Sequence, residues 1–504
     1  MKKETIAKTL IYLENDDDFN QKWFKFTAKS FINHIDTLYF FITPTIHHWN
    51  EDPRKIKLIE YLRKYKDYAD NKRENMPIFE DIHENLEVRP YLSAGFYKYH
   101  FGIRDKFDVF ICESCPNDKT PPIFVQLRSQ SLWLDGIKNA FDNACDIVEK
   151  ILLKYTLVIK KVQENRIDYA FHTNYIQDLM NFFPEKHLKN MQISNFMRFS
   201  KQGYFHKDSV IVDYFTLGQL RSNNVFLRVY DKTKEVCEMQ YNQFFIAIWL
   251  NEGLISKFDE FVLKRVVLSG NWHLKDRARC EFYAIYGLDK EKCNEINSKL
   301  NNPDTPAVWF TDYANGLVPD VTTVCNIEIQ TKRKFYDRLK ESMPIVTEED
   351  GYKKNIYNIY DQLTSYIQFI TIDTIRFIKY KGKNSQIPRS ERPTADWWKR
   401  LQTSKCFEDR IDFIDIPYFR AYQYNLDEEI VKSMCIKKMA AMSAYSNYGS
   451  CDFENLSVSD DVIDFVSSLN DNDIAKYWTA KDKVRKDIQV KLDKKRIKGE
   501  KNKS

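Results

Sequence analysis

The sequence lacks most of the features that mark membrane proteins, secreted scaffolds and nucleotide-driven motors. No stretch approaches the roughly 18 uninterrupted apolar residues needed to cross a bilayer. The first residues, Met1 to Asn15, carry neither the apolar core nor the small-residue cleavage site of a signal peptide. Glycine is scarce, 13 in 504 residues, and no GxxxxGK[ST] loop occurs, which argues against an ATPase motor. GxSxG and HExxH are also missing, removing the hydrolase elbow and the zinc protease helix. Nine dispersed histidines, of which His47 and His48 are directly adjacent, leave a three-histidine metal site without support. Ten cysteines have no framework spacing, which fits free thiols in a reducing compartment and a cytoplasmic location. The one close pair, Cys112-Glu-Ser-Cys115, has no second CxxC and no HxxxH to complete a zinc site.

Net charge is +5, too small to identify a partner by itself. The stretch from Lys481 to Ser504 holds eleven Lys or Arg against four acids, either a solvated end or a phosphate-seeking arm. Apolar residues at 43% and charged residues at 30% are ordinary for a soluble globular chain. Aromatics reach 15%, with 35 Phe and 30 Tyr, enough to fill a large core and to offer faces for stacked bases. A chain of this length predicts two or three domains.

Hydrophobic periodicity predicts an amphipathic helix over Thr5 to Lys29 and a helix starting at Pro53, and the aromatic and β-branched run Ile35 to Thr43 predicts a buried strand by composition. Strands follow at Phe107 to Cys112 and Ile123 to Leu127, then a helix from Asp135 to about Leu153. The order then restarts. A strand at Arg166 to Thr173 repeats the Ile-Asp pair of Ile35-Asp36, and a helix follows from Ile176 to about Phe183. Strands come next at Val210 to Leu217 and Val225 to Tyr230, helices at Phe244 to Leu250 and Lys257 to Val267, and a strand at Arg279 to Tyr286. The expected fold class is therefore α+β, with two βαββα-like halves whose antiparallel sheets are covered by helices. The turn-rich Asn301 to Pro306 predicts a linker. A long helical pattern from Tyr352 to about Tyr380 opens a mostly α C-terminal domain. The expected organisation is a helical extension over 1–30, a main domain over 31–300, a helical domain over 301–480 and a basic tail over 481–504.

Three strands combine charge with β-forming residues. Alternation puts Arg166, Asp168 and Ala170 on one face, Arg228, Tyr230 and Lys232 on another, and Arg279 with Glu281 on a third, with Glu235 just past the second strand. A solvated sheet face alternates in the same way, so each strand alone is open to that reading; three in one domain favour a site. A tyrosine oxygen attacking phosphorus, basic groups on the equatorial oxygens and carboxylates around a divalent ion are the parts of a phosphodiester transesterase. Hard oxygen ligands without histidine point to Mg²⁺ or Mn²⁺.

At these strands the sequence resembles the replication initiation factor (Rep-trans) family, which contains plasmid rolling-circle initiators and relaxases of conjugative elements. The resembling pieces run in order over residues 31–300: the Ile35-Asp36 strand, Phe124 to Gln130, Arg166-Ile-Asp168, and Tyr214-Phe-Thr-Leu-Gly218 with Ser222. Arg228-Val-Tyr230-Asp-Lys232-Thr-Lys-Glu235 follows, then Arg279-Cys-Glu281, with Trp397-Trp398-Lys399 beyond. The resemblance implies a DNA strand-nicking and joining enzyme acting at an origin, with Tyr230 as nucleophile forming a 5′-phosphotyrosine. It further implies Arg228 and Lys232 on the scissile phosphate, and Asp168, Glu281 and Glu235 as metal ligands. Some members carry a second tyrosine three residues on, where this chain has Thr233. The expected partner is DNA, double-stranded at the origin and single-stranded after nicking, with a host helicase and a homodimer as further partners and no membrane. The alternative is an origin-binding replication or regulatory protein that does not cut.

Overall fold

The computed structural model describes residues 17–407, apart from 26–28, 47, 91–94, 118–119, 183–198, 207–208, 219–223, 239–241, 338–350, 380–385, 389–390 and 405. The remainder of the expected C-terminal domain, and the basic tail, lie outside these residues. Within them the fold is α+β, as expected. No helix among the described residues is long and apolar enough to cross a membrane.

Among the described residues, eleven strands form one antiparallel sheet. In chain order they are β1 (Phe31–Pro44), β2 (Met76–Pro77), β3 (Glu87–Val88), β4 (Tyr99–Ile103), β5 (Phe107–Ile111), β6 (Ile123–Leu127), β7 (Ile159–Thr173), β8 (Phe199–His206), β9 (Ser209–Leu217), β10 (Val225–Asp231) and β11 (Cys325–Lys332). Their spatial order is β2-β3-β4-β5-β6-β1-β7-β11-β10-β9-β8. The two expected halves exist, but they share a sheet: each opens with a long strand, β1 or β7, and these two pair along their length at its centre. Joining the halves there leaves no open edge in the middle of the molecule.

Period-two alternation gives the sheet two unlike faces. Leu38, Phe40 and Ile42 of β1, Ile167 and Phe171 of β7, Ile327 and Ile329 of β11, and Leu227 and Val229 of β10 are buried in one core. Helices cover that face, among them α1 (Pro53–Lys72) through Leu58, Ile59 and Leu62, and α2 (Ile137–Leu153) through Phe141, Ala144 and Val148. The start of α1 is set locally: Asp52 accepts a hydrogen bond from the Arg54 amide at 2.8 Å, and Pro53 occupies the first turn.

The opposite face carries the polar residues of the same strands. A helical insertion between β10 and β11 covers one end of it, packing Phe245, Trp249 and Phe258 with Ala170 and Trp133 in a second core. Its helices include α3 (Phe244–Asn251), α4 (Lys257–Ser269) and α5 (Lys275–Tyr286). A Ser256–Asp259 capping box starts α4, and Gly270 at φ +63° ends it.

Four sequence expectations are corrected. Arg279 to Tyr286 is helical, because its buried positions Ala278, Arg279, Phe282 and Tyr283 recur at i, i+4 spacing, and the short alternation around Glu281 is incidental. The last central strand is β11, which lies beyond the expected linker; its Asn-Ile-Glu-Ile-Gln alternation is a strand pattern inside the expected mostly α domain. The boundary at residue 300 also fails, since Phe335, Tyr336, Ile359, Tyr366 and Trp398 belong to the same core as β1. The long helix expected over Tyr352 to Tyr380 is broken into Lys354–Asp361, Leu363–Phe369 and a π turn at Ile370–Thr374. The Cys112 and Cys115 sulfurs lie 2.8 Å apart as free thiols.

These assignments separate energetically. Ile327→Ala, which opens a cavity under the central sheet, is expected to lower stability by about 2–5 kcal/mol in urea denaturation. Glu281→Gln removes one half-exposed pair with Arg265 and is expected to cost less than about 1 kcal/mol.

Candidate active site

The polar face forms the floor of a cavity of about 640 Å³. Each of its chemical groups has a local origin. On β7, residues two apart point the same way, so Arg166 and Asp168 stand side by side and the guanidinium forks the carboxylate, with Nε to Oδ1 at 2.8 Å. On β10 the same alternation brings up Arg228 and Tyr230, and register with β11 sets Arg228 opposite Glu328 and Tyr230 opposite Asn326. The strand stops at Asp231, and the following helix (Lys232–Glu238) places Lys232 and Glu235 one turn apart, with Nζ to Oε1 at 2.7 Å. On β1, a bulge between Ile35 and Thr37 lets consecutive residues, Asp36 and Thr37, both reach the cavity.

At the centre is the Tyr230 hydroxyl. Lys232 Nζ donates to it at 3.3 Å and Asn326 Nδ2 at 3.0 Å, while the hydroxyl donates to Glu328 Oε2 at 3.4 Å. Glu328 is itself held by Arg228 at 2.9 and 3.1 Å. Tyr230 is 9% exposed, and its ring lies under the Arg228 guanidinium at 4.8 Å. The buried Arg228 Nε–H has no hydrogen-bond partner among the described residues.

Burial raises the Tyr230 hydroxyl well above its ordinary pKa; the nearby Lys232 works in the opposite direction without overcoming it. For Lys232, burial opposes the charged form, but Tyr230, Asp36 and Glu235 outweigh it and keep the ammonium protonated. Burial pushes Asp168 up to about 7 despite the Arg166 fork, with Glu328 adding repulsion. Asp36 stays low: burial opposes ionisation, but Lys232 and hydrogen bonds from Ser129 and Trp133 stabilise the carboxylate.

Five of the six residues expected from sequence line this cavity: Tyr230, Arg228, Lys232, Asp168 and Glu235. The sixth, Glu281, does not; it sits on α5, paired with Arg265 of α4. The structure puts Glu328 beside the tyrosine instead, with Asn326 and Asp36. Sequence reasoning misses Glu328 because it misses the strand that carries it, although Arg228 has no carboxylate partner on its own strand face.

No family model matches the chain, and no curated protein does. Among solved structures it is similar to the rolling circle replication initiator protein from Geobacillus stearothermophilus, at 12% identity and a TM-score of 0.32. That match covers 74% of this chain and 96% of the other. A likeness this loose carries no argument about the site.

The expected Mg²⁺ or Mn²⁺ needs two or three carboxylates with oxygens to share. Here Asp168 is forked by Arg166, Glu328 by Arg228, and Glu235 accepts from Lys232 and Asn242. No group of three His, Cys, Asp or Glu that could hold an ion occurs among the described residues. A divalent cation on Asp168 would have to displace a guanidinium, so these donors as folded do not fit the ion.

The Asp168 shift carries a signed consequence for stability. Its folded pKa, about 7, lies above the ordinary 3.8, so the folded state binds the extra proton between those values. Its contribution is complete below about 4 and is lost as pH rises through 7. Denaturation midpoints measured from pH 4 to 8 are expected to fall across that window in the native chain, and the fall to flatten in Asp168→Asn.

Proposed function

We propose that the chain nicks and rejoins one strand of DNA through Tyr230, as a replication initiator or relaxase would at an origin. The observation that carries this reading is the environment of one hydroxyl. On the floor of an open polar cavity, the Tyr230 oxygen has a carboxylate to take its proton, two donors to steady the anion, and basic side chains around it for a phosphate. The motif resemblance over Arg228 to Glu235 points to the same tyrosine.

Because the hydroxyl's pKa is raised, no standing phenolate is available, and proton removal accompanies attack. Glu328 accepts the phenolic proton as the Tyr230 oxygen bonds to phosphorus and the bond from phosphorus to the 3′ oxygen breaks. That oxygen takes a proton from water and leaves as a 3′-hydroxyl, the 5′ phosphate remains on the tyrosine, and Glu328 returns its proton to solvent. Lys232 and Asn326 hold the attacking oxygen in place. Arg228, whose Nε–H has no partner among the described residues, and Arg166 stabilise charge on the equatorial oxygens. Reversal of the same steps rejoins the strand.

Incubated with supercoiled plasmid carrying the cognate origin, in buffers with Mg²⁺, with Mn²⁺ and with a chelator, the protein is expected to give nicked circles and a covalent protein–DNA adduct. Tyr230→Phe should form no adduct, and Glu328→Gln should slow nicking by about 10²–10⁴. Nicking by Tyr230→Phe at the native rate would remove the assignment. The burial of Tyr230 favours one competing reading, an origin-binding protein that does not cut. Tight origin binding with no adduct in any of the three buffers would select it.

A further inference from the structure

The catalytic groups occupy only part of the cavity. Arg89, Arg104, Asp105 and Arg128 line it too, and all four come from the first half of the chain, around β3 to β6. Two of these guanidiniums are built into place. Asp108 of β5, fully buried, accepts from His100 Nε2 at 2.9 Å, from Arg89 at 3.0 Å and from Arg128. The pairs with Arg89 and Arg128, together with the hydrogen bond from His100, keep the carboxylate ionised against the opposing effect of burial. Arg104 projects from the β4–β5 turn, largely exposed, with Asp105 at 3.6 Å.

Charge divides unevenly between the two parts. Around Tyr230, the carboxyl groups of Asp36, Asp168, Glu235 and Glu328, with Asp168 part-protonated near neutral pH, face three cations, Arg166, Arg228 and Lys232. That part offers a polyanion little net attraction. In the other part three guanidiniums face two carboxylates, Asp105 and Asp108, and one buried Asp108 cannot neutralise both arginines it holds. A clamped guanidinium has already lost its rotamer freedom, which makes it a preorganised phosphate ligand.

From this we infer that Arg89, Arg104 and Arg128 form a second phosphate subsite, which grips the same DNA strand at a phosphodiester neighbouring the one presented to Tyr230. The inference rests on the DNA-nicking reading above and adds where the strand is held. Cavity size agrees, since about 640 Å³ is the scale of a drug-sized ligand and exceeds a single phosphate. In this division the arginine part supplies affinity, and the tyrosine part supplies chemistry on a strand already anchored.

The test uses the full-length chain with Tyr230→Phe as background, so that binding is read without cleavage. Fluorescence anisotropy with a labelled single-stranded origin oligonucleotide, over a series of salt concentrations, is expected to show about tenfold weaker binding for Arg128→Gln. The slope of log affinity against log salt should fall by about 0.7 for each phosphate no longer neutralised. Arg104→Gln should lose affinity in the same direction; because this side chain is exposed, the variant has no reason to misfold, and thermal melting checks both. A neutral methylphosphonate placed in turn at each linkage flanking the nick should weaken the background protein at one position and leave the Arg104/Arg128 double variant unaffected there. Competition with inorganic phosphate should be weak compared with a short oligonucleotide; equal competition would mean a free-anion site and overturn the strand-grip assignment. Native affinity and slope in both single variants, with nicking by the otherwise native chain intact, would overturn the subsite alone. Absence of any oligonucleotide binding or nicking by the unaltered protein would overturn the parent reading with it.

Discussion

The pairing of β1 with β7 is the constraint on which the rest depends. Two long strands, one opening each half of the chain, run antiparallel through the middle of an eleven-stranded sheet. That ladder makes one sheet out of two half-sheets and lets polar residues from both halves face one cavity. Its irregularity is as consequential as its regularity. Without the bulge at Asp36, strict alternation would send either Asp36 or Thr37 to the apolar face.

The cavity around Tyr230 is governed by charge compensation. Every carboxylate there is engaged by a basic or hydrogen-bonding neighbour, and Lys232 is held between Glu235 and the tyrosine. Buried charges are tolerated only when paired in this way. Burial holds the proton on the tyrosine, and the fold places the Glu328 carboxylate beside the hydroxyl as its acceptor. The same pairing occupies the carboxylates expected to hold a metal: Arg166 engages Asp168, and Lys232 with Asn242 engages Glu235.

The helical insertion between β10 and β11 has a structural task on the same face. It buries the far end of β7, where the Trp249 indole N–H donates to His172 Nδ1 at 3.1 Å and the His172 ring stacks on Trp133. Burial and the nearby Lys232 lower His172 to about 3, so this end of the sheet stays neutral while the cavity beside it stays charged. The polar face is thus divided into a sealed part and an open part by one insertion.

Much of this was legible in the sequence. The strands from Ile35, Phe107, Ile123, Arg166, Val210 and Val225 are legible as runs of β-forming residues, and alternation gives the faces shared by Arg166 with Asp168 and by Arg228 with Tyr230. Local chemistry determined those features, because alternation and turn residues act within a few positions. Which carboxylate meets the tyrosine was decided only by tertiary structure. Glu281 and Glu328 both follow β10, and a short alternating pattern surrounds each; only the pairing of β10 with β11 across the inserted helices brings Glu328 to Tyr230 and leaves Glu281 on a helix. The raised Asp168 and Tyr230 pKa values belong to the same category, since burial and the repulsion of Glu328 come from strands far apart in sequence. A residue's type and its face on a strand are local properties; its partner and its proton are settled by what the fold packs against it.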